Sequence, residues 1–187
     1  MGFFDTEKGV EQYVKMVEGY DGTELIAILE KYLPENSTVL ELGIGPGKDM
    51  DILKKSYAVT GSDNSQIFLD RYKKNNPDAD LILLDATTLQ IQQKFDCVYS
   101  NKVLHHLPRE DLVKSLQRQK EILNPNGIAF HSFWKGNKTE NIDGLLFIYY
   151  EIDDLKKMVG NNFEILTMKI YTEMEKDNSI YIVMKNK

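Results

Sequence analysis

The stretch VLELGIGPGKDMDILKK, from Val39 to Lys55, places an apolar strand pattern directly before a glycine-rich turn and a helical pattern. An acid and three glycines alternate through its first half: Glu41, Gly43, Gly45 and Gly47. Glycine in such a turn permits tight backbone geometry and lets a ligand approach the main chain closely. The stretch therefore predicts a strand–turn–helix unit and marks the turn as a candidate ligand site.

Strand and helix patterns alternate along most of the chain after residue 37. The predicted strands lie at 37–43, 58–63, 79–85, 95–101 and 127–134. The predicted helices between them lie at 47–56, 65–76 and 109–123. Such alternation requires right-handed crossovers and gives a parallel sheet with helices on both faces. The sequence therefore predicts a doubly wound α/β fold.

The two ends of the chain depart from this alternation. Residues 6–33 contain two helical stretches, and a further helix is predicted at 151–160. The strands predicted at 163–174 and 179–186 are joined by only a few polar residues. Because a parallel crossover needs a longer connection, these two strands are expected to pair as an antiparallel hairpin.

The length of 187 residues is typical of one domain with a substantial core. No internal repeat, low-complexity segment or linker divides the chain. We therefore expect a single domain over 1–187, with a helical cap over 1–33 and a sheet core over 37–187.

Composition and charge narrow the classes of function. No apolar run approaches the ~18 residues of a membrane helix, so no membrane span is predicted. Cys97 is the single cysteine, which excludes a disulfide framework and a thiolate metal cluster and fits a reducing cytoplasm. The net charge of −6 and the pI of about 5.2 disfavour a nucleic-acid partner. We expect a cytoplasmic protein without a metal that acts on a small molecule, with its oligomeric state left open.

Acidic residues end the next two predicted strands. Asp63 ends the second strand, about 20 residues after Glu41, and Asp85 ends the third. A carboxylate at the first position can accept hydrogen bonds from both hydroxyl groups of a ribose. A carboxylate at the second can accept from the exocyclic amine of adenine. Together with the glycine-rich turn, the two acids predict a ligand that contains adenosine.

Two common phosphate-binding motifs do not fit the turn. A dinucleotide-binding G-x-G-x-x-G motif requires its third glycine at position 48 or 50, where the chain has Lys48 and Met50. A P-loop requires Ser or Thr after its lysine, and Lys48 is followed by Asp49. The acid ahead of the glycines, Glu41, is unfavourable beside a pyrophosphate but suits an ammonium or a sulfonium. The turn therefore disfavours a nicotinamide-dependent oxidoreductase.

Five motifs in order resemble those of the class I S-adenosylmethionine-dependent methyltransferases. ELGIGPG resembles the E/D-x-G-x-G-x-G motif, GSDNS the second motif with its ribose-binding acid, and LLDA the third with its adenine-side acid. FDCVYSNKVLHHL resembles the fourth-strand motif and LNPNGIAFHSFW the fifth strand, so that the likeness covers roughly residues 37–134. The resemblance implies a three-layer, Rossmann-like fold whose mostly parallel, seven-stranded sheet ends in an antiparallel hairpin. It also implies S-adenosylmethionine as cofactor and S-adenosylhomocysteine as product.

The same resemblance assigns cofactor contacts to the strand ends and to the helical cap. The residues it assigns are Tyr13, Tyr20, Glu41, Gly43, Gly45, Gly47, Asp63, Asn64, Asp85, Ala86, Ser100 and Asn101. Tyr13 and Tyr20 lie in the part that matches the family's variable cap and would close over the methionine part, although ordinary helix packing explains them equally well. The implied reaction is in-line displacement at the sulfonium methyl, for which the protein mainly supplies positioning.

The acceptor side is predicted from side chains near the ends of the fourth and fifth strands. His106 and His131 are candidate general bases because histidine titrates near neutrality. The other candidates for lining an acceptor pocket are Lys102, His105, Trp134 and Tyr150. Packing at an LHHL turn is the alternative for the two adjacent histidines, and a satisfied core position is the alternative for His131.

The cofactor motifs fit two kinds of function. An enzyme would transfer the methyl group to O, N or C of a small molecule, whereas a binding module would hold S-adenosylmethionine or S-adenosylhomocysteine without catalysis. The segment after the fourth strand lacks the N/D-P-P-aromatic signature of enzymes that methylate amines on bases. The single cysteine excludes a cysteine-cluster mechanism for metalloid methylation. The histidines and aromatic residues near the strand ends favour the enzyme.

Overall fold

The computed structural model describes residues 3–187. Its strands are β1 (Thr38–Leu42), β2 (Ala58–Asp63), β3 (Asp80–Leu83), β4 (Phe95–Asn101), β5 (Leu123–Trp134), β6 (Thr139–Ile142), β7 (Leu145–Ile148), β8 (Phe163–Tyr171) and β9 (Ser179–Asn186). Its α-helices are α1 (Glu7–Met16), α2 (Thr23–Leu29), α3 (Lys48–Leu53), α4 (Gln66–Asn75), α5 (Arg109–Ile122) and α6 (Ile152–Val159). Among these residues, no helix combines the length and apolar composition needed to cross a membrane.

Seven strands form the central sheet, in the order β3, β2, β1, β4, β5, β9 and β8. The pairs from β3 to β5 are parallel, and β9 pairs antiparallel with both β5 and β8. The seven-stranded, mostly parallel sheet and its antiparallel C-terminal hairpin are therefore confirmed. The strand order changes direction between β1 and β4, and ligands of such sheets bind at the carboxyl ends of the strands near this point.

Helices cover both faces of the sheet. On one face, Leu116 of α5 and Leu155 of α6 share a core with Leu40 of β1. On the other face, Leu29 of α2 belongs to a second core with Val39. The neighbours Val39 and Leu40 enter opposite cores because successive side chains of a strand point to opposite faces. The three-layer, doubly wound arrangement is thus confirmed, with the β1 side chains buried on both sides.

The helices at the start of the chain lie where the cap was expected. Residues 1 and 2 of the predicted cap lie outside the described part of the chain. α1 begins after Thr6, whose side chain accepts a hydrogen bond from the Gly9 amide at 3.1 Å and so caps the helix. α2 follows and packs its apolar face into the second core. The cap helix α1 also reaches α4, because Arg71 of α4 pairs with Glu7 and Glu11.

The connection into β5 differs from the sequence expectation. The helix predicted to 123 ends at Ile122, and β5 already begins at Leu123 rather than at 127. Leu123 is extended and pairs with Phe95, and the register shifts before the next pair. The Asn186 side-chain amide donates to the carbonyls of Leu123 and Asn124 at 3.3 and 3.2 Å. These bonds hold Asn-Pro-Asn-Gly as a bend within the strand instead of a helix end.

The hairpin of β6 and β7 was not among the predicted elements. Its two-residue turn has positive φ angles of 53° at Asp143 and 87° at Gly144. An Asp-Gly pair between short strands is a strong signal of such a hairpin, and this signal was present in the sequence. The hairpin places Leu146 and Phe147 beside the histidines that follow β4.

Candidate functional site

A cleft opens at the carboxyl ends of β1, β2, β3 and β4. It has two lobes, which share the residues Tyr13, Gly43, Gly45, Lys102 and His106. The lobe beside Asp63 and Asp85, here called the β2 lobe, has a volume of about 700 Å³. The lobe beside Glu41 and Trp134, here called the β5 lobe, has a volume of about 860 Å³. Both volumes include open solvent at the mouth.

The turn after β1 forms the ridge between the lobes. Gly43 and Gly45 have positive φ angles of 68° and 48°, which glycine adopts with little strain. A Cβ on Gly43 would lie 2.7 Å from the Val103 side chain. A Cβ on Gly45 would meet only the Tyr13 ring, at 3.6 Å. The main chain at Gly45 therefore faces open space, as close approach by a ligand requires.

Gly47 does not line the cleft, although the sequence placed it among the cofactor contacts. Its φ is 83°, and it immediately precedes α3. A Cβ there would lie 2.1 Å from the Tyr72 ring of α4. The structural reason for this glycine is therefore the packing of the α3 start against α4.

Asp63 is fixed at the inner wall of the β2 lobe. Its two carboxylate oxygens accept hydrogen bonds from the amides of Gly45 and Ser65, both at 2.9 Å. Burial raises the pKa of Asp63, and the backbone hydrogen bonds act in the opposite direction. Each oxygen retains further acceptor capacity, because a carboxylate offers about four lone-pair sites. Asn64 lies beside it and lines the same lobe.

Asp85 also lines the β2 lobe, with Ala86 next to it. One Asp85 oxygen accepts from the amides of Thr87 and Thr88 at 2.6 and 3.2 Å, which fixes the side chain after β3. The apolar residues lining this lobe are Phe4, Phe68, Leu84, Val103 and Leu107. An apolar slot between two fixed carboxylates suits a planar base that carries a ribose.

Glu41 is the clearest sign that the β5 lobe holds a ligand. The residue is 3% exposed, and its Oε2 atom has no hydrogen-bond partner among residues 3–187. Burial, followed by the nearby Asp49 and Asp63, raises the pKa of Glu41 well above its usual range. A buried polar atom without a partner is costly. A donor group of a ligand, such as an ammonium, would remove this cost.

Asp49 is a site residue that the sequence reasoning missed. It lines the β5 lobe and accepts from the Gly22 amide at 2.7 Å, the Tyr99 hydroxyl at 2.8 Å and the Asn101 amide at 3.1 Å. These bonds oppose its burial, which raises the pKa of Asp49. Asp49 thereby joins the start of α2 to the end of β4 and orients Asn101 in the lobe. Its position in the first turn after the glycines was the available signal.

His106 lines both lobes and is held in one orientation. Its Nδ1 lies 2.6 Å from the Leu146 carbonyl, which can only accept, so Nδ1 carries the proton. Burial lowers the pKa of His106 to about 4, against the effect of this bond. The neutral ring therefore keeps an unprotonated Nε2, which has no hydrogen-bond partner in the described chain.

His105 packs against His106 with ring centroids 3.9 Å apart and also lines the β5 lobe. It is 1% exposed, and neither of its ring nitrogens has a partner among residues 3–187. Burial, assisted by His106 and Lys102, holds its pKa well below the usual range. A second unsatisfied polar side chain thus borders this lobe.

Lys102 closes the far side of the β5 lobe. Its Nζ lies 4.0 Å from the centre of the Trp134 ring and forms an ion pair with Glu173. It also donates to the Tyr171 hydroxyl at 2.9 Å and the Ser179 hydroxyl at 3.0 Å. Burial lowers the pKa of Lys102 to about 8, and the Glu173 charge opposes that shift. Trp134, like Lys102, lines the lobe as the sequence led us to expect.

Tyr13 and Tyr20 also reach the cleft. The Tyr13 ring lines both lobes and packs edge-on against Phe4, with centroids 5.2 Å apart. Tyr20 lies at the mouth of the β5 lobe and is 40% exposed. Burial, with the nearby Asp63, raises the pKa of Tyr13 to about 12, so its hydroxyl remains protonated.

Besides Gly47, three predicted site residues are not in the cleft: His131, Ser100 and Tyr150. His131 is fully buried, with Nδ1 2.8 Å from the Ser100 hydroxyl and Nε2 2.7 Å from the Gln119 side chain. The pleat of β5 points it toward α5, which provides Gln119. Tyr150 is buried against Phe133 and lies under Arg109. A base role for His131, a cofactor contact for Ser100 and an acceptor contact for Tyr150 therefore have no support in the geometry.

Replacing His131 with Leu is expected to lower the free energy of unfolding by about 3 kcal/mol, because Ser100 and Gln119 each lose a buried partner. Urea denaturation measures this change. Adding Gln119→Leu is expected to recover part of the lost free energy of unfolding, because replacing both partners of a buried hydrogen bond destabilises less than leaving one unpaired. S-adenosylhomocysteine affinity is expected to stay unchanged. Loss of that affinity in a variant of normal stability would contradict the structural role.

Comparison with known proteins agrees with this geometry. Residues 39–127 match the family model of a methyltransferase domain. Trans-aconitate 2-methyltransferase from Variovorax paradoxus is 33% identical over 100 residues, which cover 51% of this chain and 38% of that protein. The chain thus spans well under half the length of this relative.

Two solved structures share the fold. The N-methyltransferase NodS from Bradyrhizobium japonicum, in complex with S-adenosylhomocysteine, has a TM-score of 0.76 at 13% identity over 97% of this chain and 98% of its own. The 1,6-didemethyltoxoflavin-N1-methyltransferase from Burkholderia thailandensis, with 1,6-didemethyltoxoflavin and S-adenosylhomocysteine bound, has a TM-score of 0.75 at 17% identity over 96% and 88%.

The strand order, the glycine turn and the matched region resemble those of a class I methyltransferase domain. Over residues 39–127 this chain is therefore similar to that family, and it shares the fold of S-adenosylmethionine-dependent methyltransferases of known structure.

Proposed function

We propose that the chain is an enzyme that transfers the methyl group of S-adenosylmethionine to a small-molecule acceptor and releases S-adenosylhomocysteine. One observation carries the proposal: three carboxyl groups, from Glu41, Asp63 and Asp85, border one cleft at the ends of adjacent parallel strands. The two solved structures of the same fold that contain S-adenosylhomocysteine support this choice of cofactor.

The residues of the cleft fit this cofactor part by part. In the β2 lobe, the fixed carboxylate of Asp63 would accept from the ribose hydroxyls, and Asp85 from the adenine amine. The unpartnered Oε2 of Glu41 would accept from the ammonium of the methionine part. The main chain at Gly45 would lie against the cofactor, since within 4 Å of a Cβ placed there lies only the Tyr13 ring, at 3.6 Å. The bound cofactor supplies an activated methyl group, so that the chain's task is chiefly to position an acceptor.

The β5 lobe favours an enzyme over a binding module. It is open, has about 860 Å³ of space, and continues past Glu41 to His105, Trp134 and Glu173. A module that only holds the cofactor would need no such extension. In the reaction, the acceptor atom forms a bond to the methyl carbon as the carbon–sulfur bond breaks, and the electron pair of that bond goes to sulfur. In this proposal, Nε2 of His106 would accept a hydrogen bond or proton from the acceptor.

Replacing His106 with Asn is expected to lower kcat by about 100-fold, the range typical of a lost acid–base group. The pH profile gives a second reading. Because burial lowers the His106 pKa to about 4, its base form persists above that pH and is lost only as the pH falls through it. The wild-type profile of kcat/KM should therefore show no inflection from His106 near pH 6.5. An inflection near 6.5 that disappears in His106→Asn would contradict this assignment.

A small acceptor and a cytoplasmic location belong to the same proposal. The net charge of −6 disfavours a surface that grips nucleic acid. The single cysteine, Cys97, is buried and unpaired, as expected in a reducing compartment. The Burkholderia enzyme of the same fold has 1,6-didemethyltoxoflavin bound, which further supports a small molecule as acceptor.

The test is to incubate the purified chain with S-adenosylmethionine and a panel of small amines, alcohols, acids and phenols, and to measure S-adenosylhomocysteine release. The proposal expects turnover of at least one small-molecule class. Methylation of RNA or protein alone would refute the small acceptor. Cofactor binding without turnover of any class would favour the binding module.

A further inference from the structure

We propose that the acceptor is an amine and that the Glu173 carboxylate binds its nitrogen in the β5 lobe. This inference rests on the proposed function and assigns the substrate class of the same site. Glu173 lies in the turn between β8 and β9, which carried no site residue in the sequence predictions.

The Glu173 carboxylate is held rigidly by one of its oxygens. Its Oε2 accepts from the Tyr171 hydroxyl at 3.0 Å, from the Ser179 hydroxyl at 3.1 Å and from the ammonium of Lys102. Its Oε1 has no partner among residues 3–187, and the residue lines the β5 lobe. The lobe therefore contains a pre-oriented oxygen that can only accept, as expected for a site that binds an N–H group.

The charges of the lobe select against an anionic acceptor. Its lysines, Lys48 and Lys102, are both engaged, and no arginine lines it. Lys48 donates to the carbonyls of Val17 and Tyr20, both at 3.0 Å, and Lys102 pairs with Glu173. A carboxylate placed at Oε1 of Glu173 would meet an oxygen that can only accept, and both lysines already have other partners. A group that donates an N–H hydrogen bond is therefore favoured at this oxygen over a carboxylate, so an amine is favoured over an acid.

The wall opposite the turn supplies the second observation. Both nitrogens of His105 are buried and unpartnered, so this ring lacks a polar group that a ligand can supply. Its neutral imidazole offers one donor and one acceptor. The Trp134 ring, 6.4 Å from the His105 ring, makes a cation–π contact with the Lys102 ammonium at 4.0 Å.

The protons, bonds and charges of the methyl transfer can all be accounted for when the acceptor is an amine. The bound ammonium first gives one proton to Nε2 of His106, from which it passes to water, because only the neutral nitrogen has a lone pair. That lone pair then forms the nitrogen–carbon bond, the carbon–sulfur bond breaks, and its electrons go to sulfur. The methylated amine carries the positive charge and leaves with it, while Oε1 of Glu173 accepts an N–H hydrogen bond throughout.

The test measures S-adenosylhomocysteine release from primary and secondary amines and from carboxylic acids of matched size. Amines are expected to turn over and acids are not. Glu173→Gln should raise the KM for the amine about 10-fold or more, as expected for a lost charged hydrogen bond. Its S-adenosylhomocysteine affinity, measured by calorimetry, should stay close to wild type. The matched control is Glu175→Gln, the same change at an exposed position of the same turn, which should alter neither value.

Preferential turnover of acids, or an unchanged amine KM in Glu173→Gln, would overturn the assignment. If Glu173→Gln does not fold, Glu173→Asp replaces it. This variant keeps the charge but has a side chain one methylene shorter, so its carboxylate lies farther from the acceptor. An unchanged amine KM in that variant would be equally decisive against the assignment. Failure of wild-type protein to bind S-adenosylhomocysteine would instead refute the proposed function.

Discussion

Replacing Asp63 with Asn is expected to weaken S-adenosylhomocysteine binding about 100-fold. The two side chains have nearly the same shape, but the amide group of Asn donates where the carboxylate accepted. The variant therefore loses a charged acceptor for the ribose. Its side-chain NH2 group would also face the backbone N–H of Gly45 or Ser65, which donates to the carboxylate in the wild type. Hydrogen bonds to charged groups contribute about 1.5–3 kcal/mol each, and 1.4 kcal/mol corresponds to tenfold in affinity.

Calorimetry measures this loss, and Asp70→Asn is its matched control. Asp70 lies on helix α4, is exposed, and among residues 3–187 its carboxylate accepts only from the Gln66 side chain. The control is expected to bind like wild type. If the S-adenosylhomocysteine dissociation constant of Asp63→Asn lies within about threefold of the wild-type value, the ribose role of Asp63 is wrong. This conclusion does not depend on the roles of the other cleft residues.

Replacing Gly47 with Ala is expected to lower the free energy of unfolding by about 3 kcal/mol or more. Part of this cost is a φ of 83°, where a residue with a Cβ is strained. The rest is steric, since the Cβ would lie 2.1 Å from the Tyr72 ring. The ring cannot retreat freely, because its hydroxyl donates to Asp51 at 2.7 Å and accepts from Lys54 at 3.3 Å.

Gly144→Ala separates the two contributions. Gly144 has a similar φ of 87°, and a Cβ there would meet no atom within 4 Å. This control is expected to cost only about 1 kcal/mol, the strain alone. Urea denaturation of both variants measures the difference. Equal losses in the two variants would show that α3 and α4 do not pack at Gly47 as described.

Much of the fold was predictable because buried parallel strands are recognisable in sequence. The apolar runs of β1 and β4 and the acid that ends β2 fall where expected, within a residue or so of the observed bounds. Because the carboxyl ends of parallel strands lie at one edge of a sheet, the sequence alone predicts that Glu41, Asp63 and Asp85 lie close together. Each of them lines the cleft.

The acceptor side was harder to predict because it depends on tertiary packing. A strand pattern shows that neighbouring side chains alternate, but not which face meets the cleft, so His131 was assigned to the wrong side of β5. Glu173 reaches Lys102 from a turn far along the chain, and no local pattern connects them. The Asp-Gly pair is a sequence signal for the hairpin that fixes His106. Its contact with His106 depends on tertiary packing, which no local pattern predicts.

The most direct test of the central claim is calorimetry of the purified chain with S-adenosylhomocysteine and, separately, with NAD. The cleft described here predicts saturable one-to-one binding of S-adenosylhomocysteine, weakened about 100-fold by Asp63→Asn, and no binding of NAD. Tight binding of NAD, with no detectable binding of S-adenosylhomocysteine, would contradict it.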